Sequence, residues 1–329
     1  MKAVHIERPG REPGQDYRLV VGSQPRPEPG PGQVLVKVKA AGLNNADLLQ
    51  ARGLYPPPPG ASPILGMEVS GVIAELGEGA GSWKTGDKVC ALLPGGGYAE
   101  YAVADAGSLL PVPDTIDLVE AAGLPEAAFT AWTNIVDTGR IAPGESLLIH
   151  GGTSGIGSLA IQIFAVRGHR IFTTAGSDDK CQATLKFGAA RAMNYRKEDF
   201  VAVVKTETGG KGVDVILDMV GGAYVQRNIA AAAPWGRIVN IAYQSGFRTE
   251  VDFTQVLTKR LTLAATTLRG RTTDQKRAIR DALLGEVWPR LGTPIRPVID
   301  RAFPLEQAQM AHELMAKTGH IGKILLRMG

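Results

Sequence analysis

The fold is narrowed most by a glycine-rich turn set between two apolar runs of different character. Ser146-Leu147-Leu148-Ile149-His150 reads as a short strand, followed by Gly151-Gly152-Thr153-Ser154-Gly155-Ile156-Gly157. Gly157 to Val166 is then apolar nearly all round, as suits a helix packed between a sheet and its neighbours. Gly155, Gly157 and Ala160 satisfy G-x-G-x-x-A between strand and helix. Gly155 permits the tight turn, Gly157 lets the backbone approach a pyrophosphate, and Ala160 lets the helix pack close to the strand. The helix N-terminus then offers free N–H groups and a positive dipole end to an anion. Alone the pattern is weak, because an ordinary tight turn also satisfies it. His150, just before the turn, reads as a packed residue rather than a catalyst.

The flanking sequence strengthens the reading. Strands are expected at Arg170 to Ala175, Ala192 to Asn194, Val213 to Asp218, Gly236 to Ile241 and Leu261 to Ala265, with helices at Asp179 to Phe187 and Ala223 to Ala233. Strand and helix alternating at this spacing predict a doubly wound parallel sheet. The earlier part differs. Val34 to Val38, Val69 to Leu76, Asp87 to Leu92 and Tyr98 to Val103 are short apolar or alternating runs broken by Gly and Pro, as in a partly open β-barrel. Pro56 to Pro59 form a rigid loop, a spacer or one wall of a cleft. A helix from Thr273 to Leu284, a proline-rich loop and a helix from Leu305 to Ala316 complete the chain.

Glycine supplies 41 of the 329 residues, roughly one in eight against an average of about 7%, with no G-X-Y period and no Gly/Ser run. The glycines therefore belong to many separate turns. Net charge is +4, with 36 basic and 32 acidic residues interspersed and no basic run of five, so charge does not point to nucleic acid. Cys90 and Cys181 cannot make a four-thiolate metal site. No apolar stretch approaches 18 residues and no secretory leader begins the chain, so a cytoplasmic protein without a membrane segment is expected. His5, His169, His312 and His320 sit in unrelated contexts, and no Ser-His-Asp or Cys-His constellation stands out.

In dinucleotide sites an acidic residue about twenty positions after the turn bonds a ribose 2′-hydroxyl. Here that position is Ala175, followed by Gly176-Ser177-Asp178-Asp179-Lys180. With no carboxylate at the strand end a 2′-phosphate can enter; Ser177 can donate a hydrogen bond and Lys180 a charge, which favours NADPH over NADH. The other reading leaves Lys180 as a solvated helix residue and swings Asp178 or Asp179 in on the ribose.

Several further segments carry a resemblance: Gly42-Leu43-Asn44-Asn45-Ala46-Asp47, Gly53-Leu54-Tyr55-Pro56, Gly66-Met67-Glu68-Val69-Ser70-Gly71, Gly86-Asp87-Lys88-Val89, Phe187-Gly188-Ala189, Asn194-Tyr195, Asp218-Met219-Val220-Gly221-Gly222 and Gly322-Lys323-Ile324. In this order, over essentially the whole chain, they resemble the zinc-independent quinone oxidoreductase branch of the medium-chain dehydrogenase/reductase superfamily. The nearest subgroup is that of the tumour-suppressor-induced quinone oxidoreductases and their bacterial relatives, from Ala175-Gly176-Ser177 and the Gly322-Lys323-Ile324 ending. Zinc-dependent relatives carry a Cys at the place of Asn44 and a His in the motif that here reads Gly66-Met67-Glu68. Neither replacement can stand in for a thiolate or an imidazole, so no catalytic metal is expected.

The resemblance implies an α/β architecture in which a Rossmann domain, about residues 125–269, is inserted into a GroES-like partly open β-barrel domain made of residues 1–124 and 270–329, with a cleft between them. It implies NADPH held by Asn44, Thr130, Thr153, Ser154, Gly155, Ile156, Gly176, Ser177, Lys180, Tyr195, Val220, Ile241, Tyr243, Gln244 and Lys323, with Tyr195 and Lys180 flanking the 2′-phosphate. Asn44 and Tyr55 are the candidate catalytic residues: an amide that orients the nicotinamide ribose or a substrate oxygen, and a phenol able to donate to a quinone oxygen. Against this, Asn44 could be a turn residue and Tyr55 a surface aromatic, while Asp47 could cap a short helix. Proton delivery to a reduced quinone is expected from solvent. The expected activity is NADPH-dependent reduction of quinones; the alternatives are reduction of an enone or enoyl-thioester double bond, and NADPH binding with little turnover. A homodimer through the strand Leu261 to Ala265 is expected by resemblance.

Overall fold

The computed structural model describes residues 1–329 except 9, 11 and 15. The chain forms two compact units, one of Met1–Phe129 with Arg269–Gly329, the other of Thr130–Leu268.

The first unit opens with β1 (Lys2–Glu7) and β2 (Arg18–Ser23), an antiparallel pair. The ten-residue β3 (Gln33–Gly42) is the spine of the unit's larger sheet. Its middle alternates Val36 in, Lys37 out, Val38 in, Lys39 out, so one face is apolar. After β3 come α1 (Asn45–Ala51), β4 (Glu68–Leu76), β5 (Lys88–Leu92), β6 (Tyr101–Asp105) and β7 (Leu109–Pro111). Helix α2 (Pro125–Trp132) carries the chain into the second unit.

There β8 (Leu147–His150), α3 (Gly155–Val166), β9 (Ile171–Ala175), α4 (Asp178–Lys186), β10 (Arg191–Asn194), α5 (Phe200–Glu207), β11 (Val213–Asp218), α6 (Tyr224–Ala231), β12 (Ala232–Asn240), α7 (Thr254–Lys259) and β13 (Thr262–Ala265) follow in turn. The six strands are parallel in the order β10-β9-β8-β11-β12-β13. The order reverses beside β8, which places a crevice outside the carboxyl ends of β8 and β11. Leu148, Phe172, Met193, Phe200, Ile216, Ile229 and Ile238 bury one core of this unit.

The chain returns to the first unit with α8 (Thr273–Glu286), β14 (Ile299–Pro304), α9 (Ala308–Ala316) and β15 (Lys323–Arg327). The larger sheet of that unit reads β14-β15-β3-β4-β5-β7, with β6 also on β3. Leu305, Ala308 and Ala311 join its core, as the spacing predicts.

Several boundaries differ from expectation for local reasons. The helix expected to reach Ala233 ends at Ala231, and β12 begins at Ala232 rather than Gly236. Pro234 cannot donate to a ladder, Trp235 takes a left-handed φ of 64°, and the pairing with β11 jumps in register there. Leu305–Gln307 forms a tighter turn of its own, so the last α-helix starts at Ala308. Tyr98 lies ahead of β6 and is wholly buried. Helices α1 and α5, the β1/β2 pair and strands β14 and β15 carry too short a pattern to stand out in the sequence. Among the described residues no helix is long and apolar enough to cross a membrane.

Candidate functional site

In the second unit, Ser154 is the N-cap of α3 and its hydroxyl oxygen accepts from Gly157 N–H at 3.0 Å. A Cβ on Gly157 would stand 2.4 Å from the Gly151 carbonyl oxygen, so only glycine lets the turn close. Among the described residues none accepts from the N–H groups of Gly155 and Ile156. The expected contacts gather on this side of the sheet. Thr153, Ser154, Gly155 and Ile156 follow β8, Gly176 and Ser177 follow β9, Tyr195 follows β10, Val220 follows β11, and Ile241, Tyr243 and Gln244 follow β12. Thr130 lies on α2 and not after a strand.

The strand ends are bound together by a buried polar chain. Asp218 is fully buried and accepts from Val220 N–H at 2.7 Å, Asn228 Nδ2 at 3.0 Å and Asn240 Nδ2 at 2.8 Å. Because the Asn228 amide nitrogen serves Asp218, its oxygen must accept from His150 Nε2, at 2.7 Å. His150 Nδ1 then accepts from the Thr174 hydroxyl at 3.0 Å. Burial holds the imidazole below its ordinary pKa, and this neutral tautomer uses both ring nitrogens, so His150 is a packed residue that fixes the turn. Asp218 opens one of the segments that carry the resemblance but is not singled out there as a site residue, and Asn228 and Asn240, isolated polar positions on a helix and a strand, carry no motif.

At the other end of the crevice, Ser177 caps α4 and accepts from Lys180 N–H at 3.3 Å. Tyr195 is 44% exposed. Its hydroxyl lies over Gly176, 2.7 Å from where a Cβ would be. Asp178 is occupied elsewhere: it takes bonds from Lys197 Nζ at 2.5 Å and Asn194 Nδ2 at 2.6 Å, and these two hold its carboxyl below the usual range. Swinging Asp178 toward a ribose would break both.

In the first unit, Asn44 is the N-cap of α1 and its backbone N–H donates to Asp47 at 2.8 Å, so Asp47 does serve the start of a short helix. The Asn44 amide turns the other way, donating to Glu68 Oε1 at 3.0 Å and accepting from Lys323 Nζ at 2.8 Å. Asn44 is 8% exposed, Glu68 0% and Lys323 4%. Lys323 forms a 2.5 Å ion pair with Glu68 and a third bond, at 2.9 Å, to the Leu43 carbonyl. All three ammonium hydrogens are thus spent inside this unit. Glu68 also accepts from Glu126 N–H at 2.9 Å. A Cβ on Gly42 would stand 2.2 Å from Glu68 Oε1, which is why β3 ends on glycine.

A second buried chain supports the same turn. Asp47 accepts from Gly66 N–H at 3.1 Å and from the Tyr98 hydroxyl at 3.2 Å. With Asp47 ionised the direction of every bond is fixed: Tyr98 gives its proton to Asp47, His312 Nε2–H donates to Tyr98 at 3.2 Å, and the Tyr17 hydroxyl donates to His312 Nδ1 at 2.9 Å. Burial raises the Asp47 carboxyl to about 6 and lowers His312 to about 3. His312, expected in an unrelated context, is therefore part of the scaffold behind Asn44.

Tyr55 is half-buried ahead of the proline run, its phenol raised by burial, with the Arg269 guanidinium carbon 5.4 Å from its ring centre. Nothing in the sequence signals Arg269, since a lone arginine between two elements carries no pattern. A cavity of about 540 Å³, lined by Arg8, Glu12, Gln50, Gly53, Pro56 and Pro63 among others, includes neither Asn44 nor Tyr55. Among the described residues no group of three or more His, Cys, Asp and Glu is arranged to hold a metal ion.

Residues 30–114 match the alcohol dehydrogenase GroES-like domain, and residues 155–283 match the zinc-binding dehydrogenase family. The chain is 33% identical over 323 residues to a component of the phenolphthiocerol/phthiocerol polyketide synthase of Mycobacterium tuberculosis, covering 98% of this chain but only 14% of that protein's length. It is 30% identical over 305 residues to quinone oxidoreductase of Rattus norvegicus, covering 91% of this chain and 90% of the relative. Among solved structures, the NADPH complex of Escherichia coli quinone oxidoreductase superposes with a TM-score of 0.85 at 27% identity over 99% of this chain and 100% of that one. The CurK enoyl reductase superposes at 0.84 with 28% identity, over 99% of each chain. Together with a GroES-like unit and a parallel sheet carrying a dinucleotide turn, these similarities make the chain an oxidoreductase of the medium-chain dehydrogenase/reductase superfamily, akin to its quinone oxidoreductases.

Proposed function

We propose that the chain is an NADPH-dependent reductase of quinones, with the second unit as cofactor-binding domain and the first as substrate domain. The observation that carries this is the pairing of an anion-ready turn with a neutralised acidic residue. The open N–H groups of Gly155 and Ile156 suit a pyrophosphate. Asp178, the nearest carboxylate after β9, is tied to Lys197 and Asn194, which leaves Ser177, Lys180 and the exposed Tyr195 to receive a 2′-phosphate. Similarity to the rat enzyme and to the E. coli enzyme bound to NADPH supports both cofactor and acceptor.

When bound, NADPH supplies the hydride. The chain's own residues position the reactants and accommodate charge on the acceptor oxygen. Thr153 to Ile156, Gly176, Val220, Ile241, Tyr243 and Gln244 line the cofactor's path at the strand ends. Asn44 presents an amide whose orientation is imposed by Glu68 and Lys323, and Lys323 acts through Asn44 as a positioning residue. Tyr55 can donate its phenolic proton to an acceptor oxygen. Water completes protonation of a quinone oxygen.

Similarity to CurK enoyl reductase favours a second reading, in which the acceptor is a conjugated carbon–carbon double bond. Rates of NADPH and NADH oxidation with 1,2-quinones, 1,4-quinones, enones and enoyl thioesters test both. The first reading expects NADPH with quinones to be fastest; enones or enoyl thioesters turning over much faster would replace it with the second, and NADPH binding without turnover would leave a cofactor-binding protein. We also propose a homodimer through the edge strand β13, where Thr262, Leu263 and Ala265 are exposed.

A further inference from the structure

Arg269 is 7% exposed, yet no carboxylate among the described residues forms an ion pair with it. Its Nε–H donates to the Pro94 carbonyl at 2.8 Å, and Nη2 donates to the same carbonyl at 2.6 Å and to Gln50 Oε1 at 2.8 Å. Gln50 is itself held, its Nε2 donating to the Pro63 carbonyl at 3.1 Å. One edge of the guanidinium is therefore clamped to backbone and to a fixed amide. Nη1, on the other edge, is buried with no hydrogen-bond partner. The charges of Asp47 and Glu126 reach the group only through space, and the Tyr55 ring stands 5.4 Å from its central carbon.

A buried cation held by neutral groups and left with two unused donors is costly unless something completes it. A planar, oxygen-bearing, electron-rich group would complete it, because guanidinium is itself planar and its natural partner is an anionic oxygen. A conjugated carbonyl fits: its oxygen accepts from Nη1, and it gains negative charge when hydride, with its electron pair, adds to the conjugated system, until a proton from water neutralises it. We infer that Arg269 binds the oxygen of a conjugated carbonyl acceptor through Nη1, with Tyr55 backing the guanidinium. This rests on the reductase reading and adds the residue that recognises the acceptor, for quinone and enone alike.

The test is equilibrium binding to the full chain saturated with NADP⁺. The probes are 2-hydroxy-1,4-naphthoquinone in its ionised form and the neutral 2-methoxy-1,4-naphthoquinone, titrated calorimetrically. A hydrogen bond to a charged group predicts that the wild type prefers the anion by about tenfold or more. Arg269→Gln should reduce that preference to roughly threefold or less, and Arg269→Lys should retain part of it. NADPH affinity and melting temperature establish that each variant is folded. Equal binding of the two probes by the wild type overturns the inference with no variant needed, as does an undiminished preference in a folded Arg269→Gln protein. Failure here with quinone turnover intact removes Arg269 and leaves the reductase reading. An Arg269-dependent preference without turnover of any acceptor does the reverse.

Discussion

Replacing Lys323 by Met removes the cation from a buried set in which every polar atom depends on its neighbours. The ammonium donates to Leu43 O, Asn44 Oδ1 and Glu68 Oε1. Without it, Glu68 remains a fully buried carboxylate with two N–H donors, from Asn44 and Glu126, and no cation. Removing one partner of a buried ion pair costs about 3–5 kcal/mol, and the two abandoned acceptors keep the loss in the upper part of that range. Against a total stability of about 5–15 kcal/mol this is large. The double variant Glu68→Gln with Lys323→Met removes both charges and should recover about half of the loss, because the expensive species is the lone buried carboxylate. Chemical denaturation of wild type, both single variants and the double variant measures the cycle, with NADPH affinity read alongside. Lys323→Met is expected to lower stability by at least about 3 kcal/mol while NADPH affinity changes about threefold at most, as befits a residue acting through Asn44. A loss under about 1 kcal/mol, or a double variant as unstable as the two singles summed, would refute the reasoning. A large fall in NADPH affinity with stability unchanged would mean that Lys323 holds the cofactor directly.

Lys180→Ala should weaken NADPH binding by about tenfold to a hundredfold and leave NADH nearly unchanged, since only the former carries a 2′-phosphate; equal effects on both cofactors would contradict the assignment. Gly157→Val places side-chain atoms against the Gly151 carbonyl, where even a Cβ would stand at 2.4 Å, so cofactor binding should be lost; binding within about twofold of wild type would show that the turn can open. The buried chain behind Asn44 predicts an acid profile. His312 falls to about 3 in the folded state from 6.5, so the unfolded state binds the extra proton between these values and His312 makes stability fall as pH falls, by up to about 1.4 kcal/mol per pH unit. Asp47 rises to about 6 from 3.8, so the folded state binds the extra proton there and Asp47 makes stability fall as pH rises, offsetting His312 between roughly pH 4 and 6. In His312→Gln the His312 contribution is removed while those of Asp47, His150 and the paired carboxylates stay, so stability should fall less steeply than in the wild type as pH is lowered from about 6 to 4, by up to about 1.4 kcal/mol per pH unit; a profile parallel to that of the wild type would exclude this pairing.

The sheet of the second unit is legible in the sequence because each strand ends in a glycine turn or a change of period, and those punctuation marks survive in one dimension. The phosphate turn is legible for the same reason: its geometry is local, between β8 and α3. The supports are not. His150, Asn228, Asp218 and Asn240 meet only after four elements have folded, and nothing in the sequence of any one of them, Asp218 within its motif included, announces the other three. Likewise Glu68 and Lys323 are 255 positions apart and join because β15 pairs with β3, a contact that no periodicity announces. The resemblance points to Lys323 as a cofactor residue; that its ammonium is engaged by Leu43, Asn44 and Glu68 is something sequence pattern does not encode. Arg269 is invisible in one dimension because what distinguishes it is an unused nitrogen, a property of its surroundings and not of its neighbours in the chain. The early end of α6 escapes sequence reading because Pro234 and Trp235 look like loop residues until the distorted start of β12 is seen.

The most direct test of NADPH-dependent quinone reduction is the steady-state rate of nicotinamide oxidation with 1,4-naphthoquinone, an enone and an enoyl thioester, each measured with NADPH and with NADH. The proposed function predicts the highest kcat/KM for NADPH with the quinone and a kcat/KM for NADH lower by about tenfold or more, as expected when a charged contact to the 2′-phosphate is missing. Equal use of the two cofactors would contradict the site built from Ser177, Lys180 and Tyr195, and an enone or enoyl thioester preferred over every quinone would contradict the acceptor.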